Sequence, residues 1–137
     1  MIVSTKGSYA LRIMTELSGR SEPASLKEIA MKQGIPHKYS ESIMTELAKA
    51  GLVVSARGKS GGYRLSRAPE EYTVWEILRV TESSFAAVSC SDSCTESEDT
   101  ACQHAGICPT QPMWRALDET LKEFFNRYTL QDLLAKD

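Results

Sequence analysis

The chain has no apolar run approaching membrane-spanning length, and its opening Met1-Ile2-Val3-Ser4-Thr5-Lys6 leads into an amphipathic segment with no apolar signal region. Together these absences predict a cytoplasmic protein with no membrane partner. Phosphate loops, Ser/His/Asp arrangements and carboxylate pairs set in apolar pockets are also missing, which argues against an enzyme. There is no internal repeat. No cysteine precedes Cys90, so no disulfide staples the N-terminal half, and 137 residues are enough for a core without them. What is there reads as globular rather than disordered, with 42% apolar and 25% charged residues.

Charge is unevenly divided. Met1–Arg67 holds 11 Lys and Arg against 5 Asp and Glu, whereas Ala68–Asp137 holds 5 against 13. A basic half joined to an acidic half suggests a nucleic-acid face attached to something else.

The basic half has the punctuation of a helix-turn-helix. Ser4 or Thr5 can cap a first helix running to Leu17, with Tyr9, Ile13, Met14 and Leu17 on one face and Gly19 at its end. Ser25-Leu26-Lys27-Glu28 is a capping box opening a second helix with Leu26, Ile29 and Ala30 inward. Gly34 suits a left-handed stop, Ile35 anchors the turn, and Pro36 fits the first position of a third helix over His37–Ala50. Ile43 and Leu47, with Tyr39 and Ala50, fall on its inward side. Leu52–Ser55 and Tyr63–Leu65 read as two strands. The Gly-rich, basic Ala56–Gly62 tip between them reads as a wing, able to approach phosphate or enter a minor groove. The third helix would then enter the major groove with an exposed N-terminal end that includes Ser42. The candidate DNA-contacting set is His37, Lys38, Tyr39, Ser40 and Glu41 from that helix, and Arg57, Lys59, Ser60 and Gly61 from the wing. Glu41 could accept from a cytosine amino group, and Lys38 could meet phosphate.

Thr73-Val74-Trp75-Glu76 is a second capping box, opening a helix with Val74, Ile77, Leu78 and Trp75 inward. From Thr81 to Gln111 the periodicity breaks, over a length that marks function or disorder. It returns beyond Pro112, where Trp114, Leu117, Leu121, Phe124, Phe125 and Tyr128 form a wide apolar stripe with Thr110 as candidate cap. So wide a stripe on a late helix is a candidate self-association seam. Residues 129–134 add a short last helix. The expected fold is mostly α with a small β-hairpin: a winged helix-turn-helix plus a long C-terminal dimerisation helix. The expected divisions are 1–80 for the DNA-binding domain, 81–111 for a cysteine-rich sensor loop and 112–137 for the dimerisation helix and tail.

All four cysteines lie in that middle stretch, spaced Cys90-x3-Cys94-x7-Cys102-x5-Cys108. Clustered thiols in a cytosolic chain suggest metal or redox chemistry. Paired zinc knuckles use short gaps, and only the first gap fits. Ferredoxin spacing does not match either, but loosely spaced thiolates can still gather round an iron–sulfur cluster. A thiol–disulfide switch needs only two of the four. On spacing alone, cluster and switch stand close.

The residues resemble a known family over nearly the whole chain. Ser4–Arg12, Leu26–Ala30 with Gly34-Ile35-Pro36, Ala50–Val53 with Arg57–Tyr63, and Tyr72–Ile77 are together similar to the Rrf-two (BadM-type) bacterial transcription regulators, which include iron–sulfur and nitric-oxide sensors. The resemblance implies a homodimer on palindromic double-stranded DNA operators, each long C-terminal helix crossing its mate. It also implies an iron–sulfur cluster, 2Fe–2S or 4Fe–4S, near the start of that helix. Cys102 and Cys108 match the second and third ligands. The family spacing would place the first at Glu96, so Cys94 or Cys90 would serve in a longer loop. Where some members carry a fourth, histidine ligand, this chain has Gln111, and where others use an acidic residue near the N-terminus it has Ser8. An all-cysteine site resolves both departures, and His104 is a further candidate.

Overall fold

The computed structural model describes residues 3–56, 61–82 and 109–134. The first helix, α1 (Thr5–Ser18), is capped by Ser4, whose Oγ accepts from Gly7 N at 3.1 Å. Its buried face runs through Ala10, Ile13, Met14 and Leu17, one helical stripe. Helix α2 (Leu26–Gln33) and helix α3 (His37–Lys49) follow, and they end alike. Gly34 and Gly51 take left-handed φ values of 66° and 77°. Each lets the next residue reach back five positions, Ile35 N to Ala30 O at 2.9 Å and Leu52 N to Leu47 O at 3.0 Å. Ile35 and Leu52 are thereby driven into the core, 4% and 3% exposed. Pro36 is the residue before α3 rather than its first, so the helix starts one position later than the proline suggests.

Strands β1 (Val53–Ala56) and β2 (Gly62–Leu65) pair antiparallel, Val53 opposite Leu65 and Ala56 opposite Gly62. Ala24 adds a single rung on the other edge of β2 by exchanging two backbone hydrogen bonds with Tyr63, at 3.0 and 2.8 Å. The approach is so close that a Cβ on Gly62 would lie 2.2 Å from the Ala24 carbonyl oxygen. This rung joins the loop before α2 to the wing's return strand.

A single 3₁₀ turn (Pro69–Glu71) leads to α4 (Val74–Thr81). The next described helix, α5 (Gln111–Asn126), is followed by α6 (Leu130–Leu134). Ile13, Ile29, Ile43, Leu47, Tyr72, Ile77 and Leu130 meet in one core, so the last helix closes onto the N-terminal unit. Thr129 and Asp132 cap that helix reciprocally, Thr129 N to Asp132 Oδ2 at 2.9 Å and Asp132 N to Thr129 Oγ1 at 3.2 Å.

The architecture is a mostly helical winged helix-turn-helix with a small hairpin and a long late helix, as the sequence predicts. Trp75 departs from expectation: it is half-buried rather than core, with the Lys122 ammonium 6.0 Å from its ring centre. Both proposed capping boxes form one way only. Ser25 and Thr73 accept from Glu28 N at 3.2 Å and Glu76 N at 3.1 Å, but the two carboxylates turn instead to Arg20 and Arg67. Thr110 precedes α5 without a side-chain capping bond.

Candidate nucleic-acid interface

Helix α3 buries Ser40, Ile43, Met44 and Leu47, a stripe at the i, i+3, i+4, i+7 spacing. The opposite face carries Lys38, Ser42, Thr45 and Lys49, all exposed. Ser42, Thr45 and Lys49 extend the polar face beyond the first turn, a continuation legible in the spacing once Met44 is placed inward. His37 and Glu41 flank this face, His37 Nε2 lying 3.0 Å from Glu41 Oε1.

Two expectations for α3 need correction. Ser40 is not presented to solvent. It is fully buried and its Oγ donates to Pro36 O at 3.3 Å, a local acceptor that satisfies the hydroxyl inside the core. Tyr39 and Ala50 do not turn inward. Ala50 is exposed, and Tyr39 is 52% exposed at the α1 flank, meeting the Tyr9 ring edge-on at 6.1 Å. The Arg12 guanidinium lies 5.6 Å from the Tyr9 ring centre, and a Lys6–Glu46 ion pair joins α1 to α3 farther along. The N-terminal half of α1 thus braces α3 on one side.

On the other side the wing root is fastened by Tyr72, to which the sequence reading gives no role of its own. Its buried hydroxyl donates to Leu52 O at 2.7 Å and accepts from Ser66 N and Arg67 N, each at 3.0 Å. The Arg67 guanidinium covers the Tyr72 ring at 4.4 Å. Its hydrogen bond to Glu76 raises its pKa above the ordinary arginine value, against a lowering by burial. Gly61 stands half-buried where β2 begins. Arg57, Lys59 and Ser60, the other wing candidates, lie outside the described residues.

So do Cys90, Cys94, Cys102, Cys108 and His104. Among the described residues no group of three or more His, Cys, Asp or Glu is placed to hold a metal ion. Gln111 is the first residue of α5, and Ser8 is exposed on α1. Glu82, which ends α4, is fixed to the start of α1: its Oε1 accepts from Ser4 N at 3.0 Å and Ser4 Oγ at 2.7 Å. The chain that carries the thiols therefore departs from a residue anchored on α1 and returns at α5. None of the described α5 side chains is fully buried, and Met113 and Phe124 are 55% and 46% exposed. No described helix is long and apolar enough to cross a membrane.

Comparison with known proteins gives a consistent result. The model of the Rrf2 family, described as iron-dependent transcriptional regulators, matches residues 3–136. The chain is 31% identical over 136 residues to protein rrf2 of Nitratidesulfovibrio vulgaris, covering 98% of this chain and 87% of that one. Among solved structures it is similar to T. potens IscR, at 34% identity and a TM-score of 0.77, covering 98% of this chain and 86% of that one. It is also similar to CymR (YrzC), the global cysteine regulator of B. subtilis, at 34% identity and a TM-score of 0.78, covering 100% and 99% of the two chains.

Proposed function

This chain belongs to the Rrf2 family of transcriptional regulators, and from that premise we propose that its DNA affinity is set by an iron–sulfur cluster held by Cys90, Cys94, Cys102 and Cys108. The DNA-reading groups are the exposed α3 side chains His37, Lys38, Tyr39 and Glu41, with Arg57, Lys59, Ser60 and Gly61 of the wing. Ser40 drops out, because a buried hydroxyl bonded to its own helix start has no reach to a base. The chain acts as a homodimer on a palindromic operator, and the exposed apolar side of α5 is the seam. Residues 81–111 form the sensing segment between the DNA-binding unit and that seam.

The observation that carries the sensing half is the placement of the thiols. All four fall between α4 and α5, the elements that link the core to the proposed seam. Soft thiolates suit iron–sulfur ligation, and four of them replace the histidine that this chain lacks at Gln111. When bound, the cluster would supply a centre that responds to oxidation, nitrosylation or iron supply. The chain's own part is to convert a change in residues 81–111 into a change in the spacing of two recognition helices. Half-sites about 34 Å apart make binding sensitive to that spacing.

An anaerobic absorption spectrum of freshly purified protein, with iron and acid-labile sulfide assayed on the same sample, tests this. Broad visible absorption with matched iron and sulfide is the expected result. A colourless chain that cannot be reconstituted refutes the cluster. A second reading, a thiol–disulfide or zinc switch on the same DNA-binding fold, is favoured by the likeness to a cysteine regulator over the full chain. It predicts zinc or a disulfide in that colourless sample.

A further inference from the structure

The solvent side of α3 carries one ionic contact that the packing does not require. His37 and Glu41 are one turn apart on the same helix, their side chains 56% and 61% exposed, so the pair braces α3 against no other element. Exposed pairs of this kind add little to stability. Glu41, however, is the sole carboxylate among the side chains proposed to meet DNA. A free carboxylate there is repelled by phosphates and swings between rotamers. It can read a base only if its oxygens are held opposite an exocyclic amine; the major groove offers one on adenine and one on cytosine, and the usual carboxylate contact is to the cytosine amino group.

We propose that His37 is a positioning residue for Glu41: its Nε2–H fixes one carboxylate oxygen and leaves the other aimed at a cytosine, giving α3 a preference for one C·G pair in each half-site. The inference rests on the DNA-binding reading above, in which Glu41 meets a cytosine amino group, and adds to it the residue that makes that contact possible. The imidazole donates from Nε2 whether neutral, as the Nε2–H tautomer, or cationic. The cationic form also offsets repulsion between the carboxylate and phosphate. Lys27 of α2 lines the same groove at the helix-turn-helix turn as His37, which keeps this end of the interface basic.

The test uses the full chain and a randomised double-stranded DNA library enriched by binding, followed by a panel in which each base pair of the enriched duplex is replaced in turn. The unaltered chain should prefer cytosine at one position per half-site by roughly tenfold. His37→Ala and Glu41→Ala should both reduce that preference to within about twofold at the same position, and the double variant should lose no more. Preferences elsewhere in the panel stay. His37→Gln, which keeps a neutral donor of similar reach, should restore the preference. If Glu41→Ala loses the preference while His37→Ala keeps it, the positioning role is overturned and DNA binding stands. A loss spread evenly over all positions makes His37 a structural residue and overturns the proposal too. Enrichment of no duplex by the unaltered chain overturns the DNA-binding reading itself.

Discussion

Tyr72 concentrates the wing's attachment in one hydroxyl. Tyr72→Phe keeps the ring in the core but removes the donor to Leu52 O and the acceptor for Ser66 N and Arg67 N. Arg67 N then loses its acceptor, and Leu52 O and Ser66 N keep only their longer mutual bond of 3.4 Å; the loss should cost about 1–3 kcal/mol, read as a lower urea midpoint, and an unchanged midpoint would contradict it. Glu16 gives a pH-dependent counterpart. Burial acts to raise its pKa, but hydrogen bonds from Lys32, Arg20 and Gln33 outweigh burial and hold it below the ordinary carboxylate value. Its folded pKa is thus depressed, so its contribution is present above the unfolded carboxylate pKa and lost as pH falls through the folded one. Glu16→Gln should be less stable near neutral pH and show a shallower acid limb in pH-dependent melting. An acid limb as steep as the parent's would count against this. Single residues are also where the sequence is hardest to read. Ser40 reads as solvent-facing because polarity scales register the cost of burying a hydroxyl, not the Pro36 carbonyl that offsets it. Tyr39 reads as core because an aromatic ring carries no mark of the Tyr9 edge that supports it at the surface.

At the scale of elements, the helices and their stops were legible. Ser4, Ser25, Thr73 and the left-handed glycines are local devices that act within one turn. The second halves of the two capping boxes were not legible, because Arg20 and Arg67 arrive from neighbouring segments and a charge-assisted bond outcompetes a backbone N–H. Nor was the Ala24–Tyr63 rung, which joins residues far apart in the chain. Helix α3, the proposed recognition helix, carries its own prediction. If Lys38 meets a phosphate, Lys38→Ala should weaken binding to all duplexes alike and reduce the slope of log affinity against log salt by about 0.9. Fluorescence anisotropy titrations across a salt series measure this, and an unchanged slope would remove Lys38 from the interface.

At the scale of the whole molecule, the end of α5 and the residues just after it hold an aromatic group, Phe124 against Phe125 and Tyr128 at 5.6 and 5.3 Å, that the described chain leaves only partly covered. The proposed second copy covers it. Phe124→Glu should therefore weaken self-association at least tenfold, about 1.4 kcal/mol, in sedimentation equilibrium while the monomer stays folded. An unchanged association constant would place the seam elsewhere. The sequence marks the proposed sensor by its thiols, but spacing records which donors are available, not how they are arranged. For that reason cluster and switch stand close on spacing alone, and the likeness to both an IscR and a cysteine regulator keeps both readings. The most direct test of the central claim is the affinity of one anaerobic preparation for its enriched duplex, before and after iron and sulfide are stripped. Cluster control predicts a shift of at least about tenfold, which a Cys102→Ala chain does not show. Equal affinities of the loaded and stripped chains would contradict it.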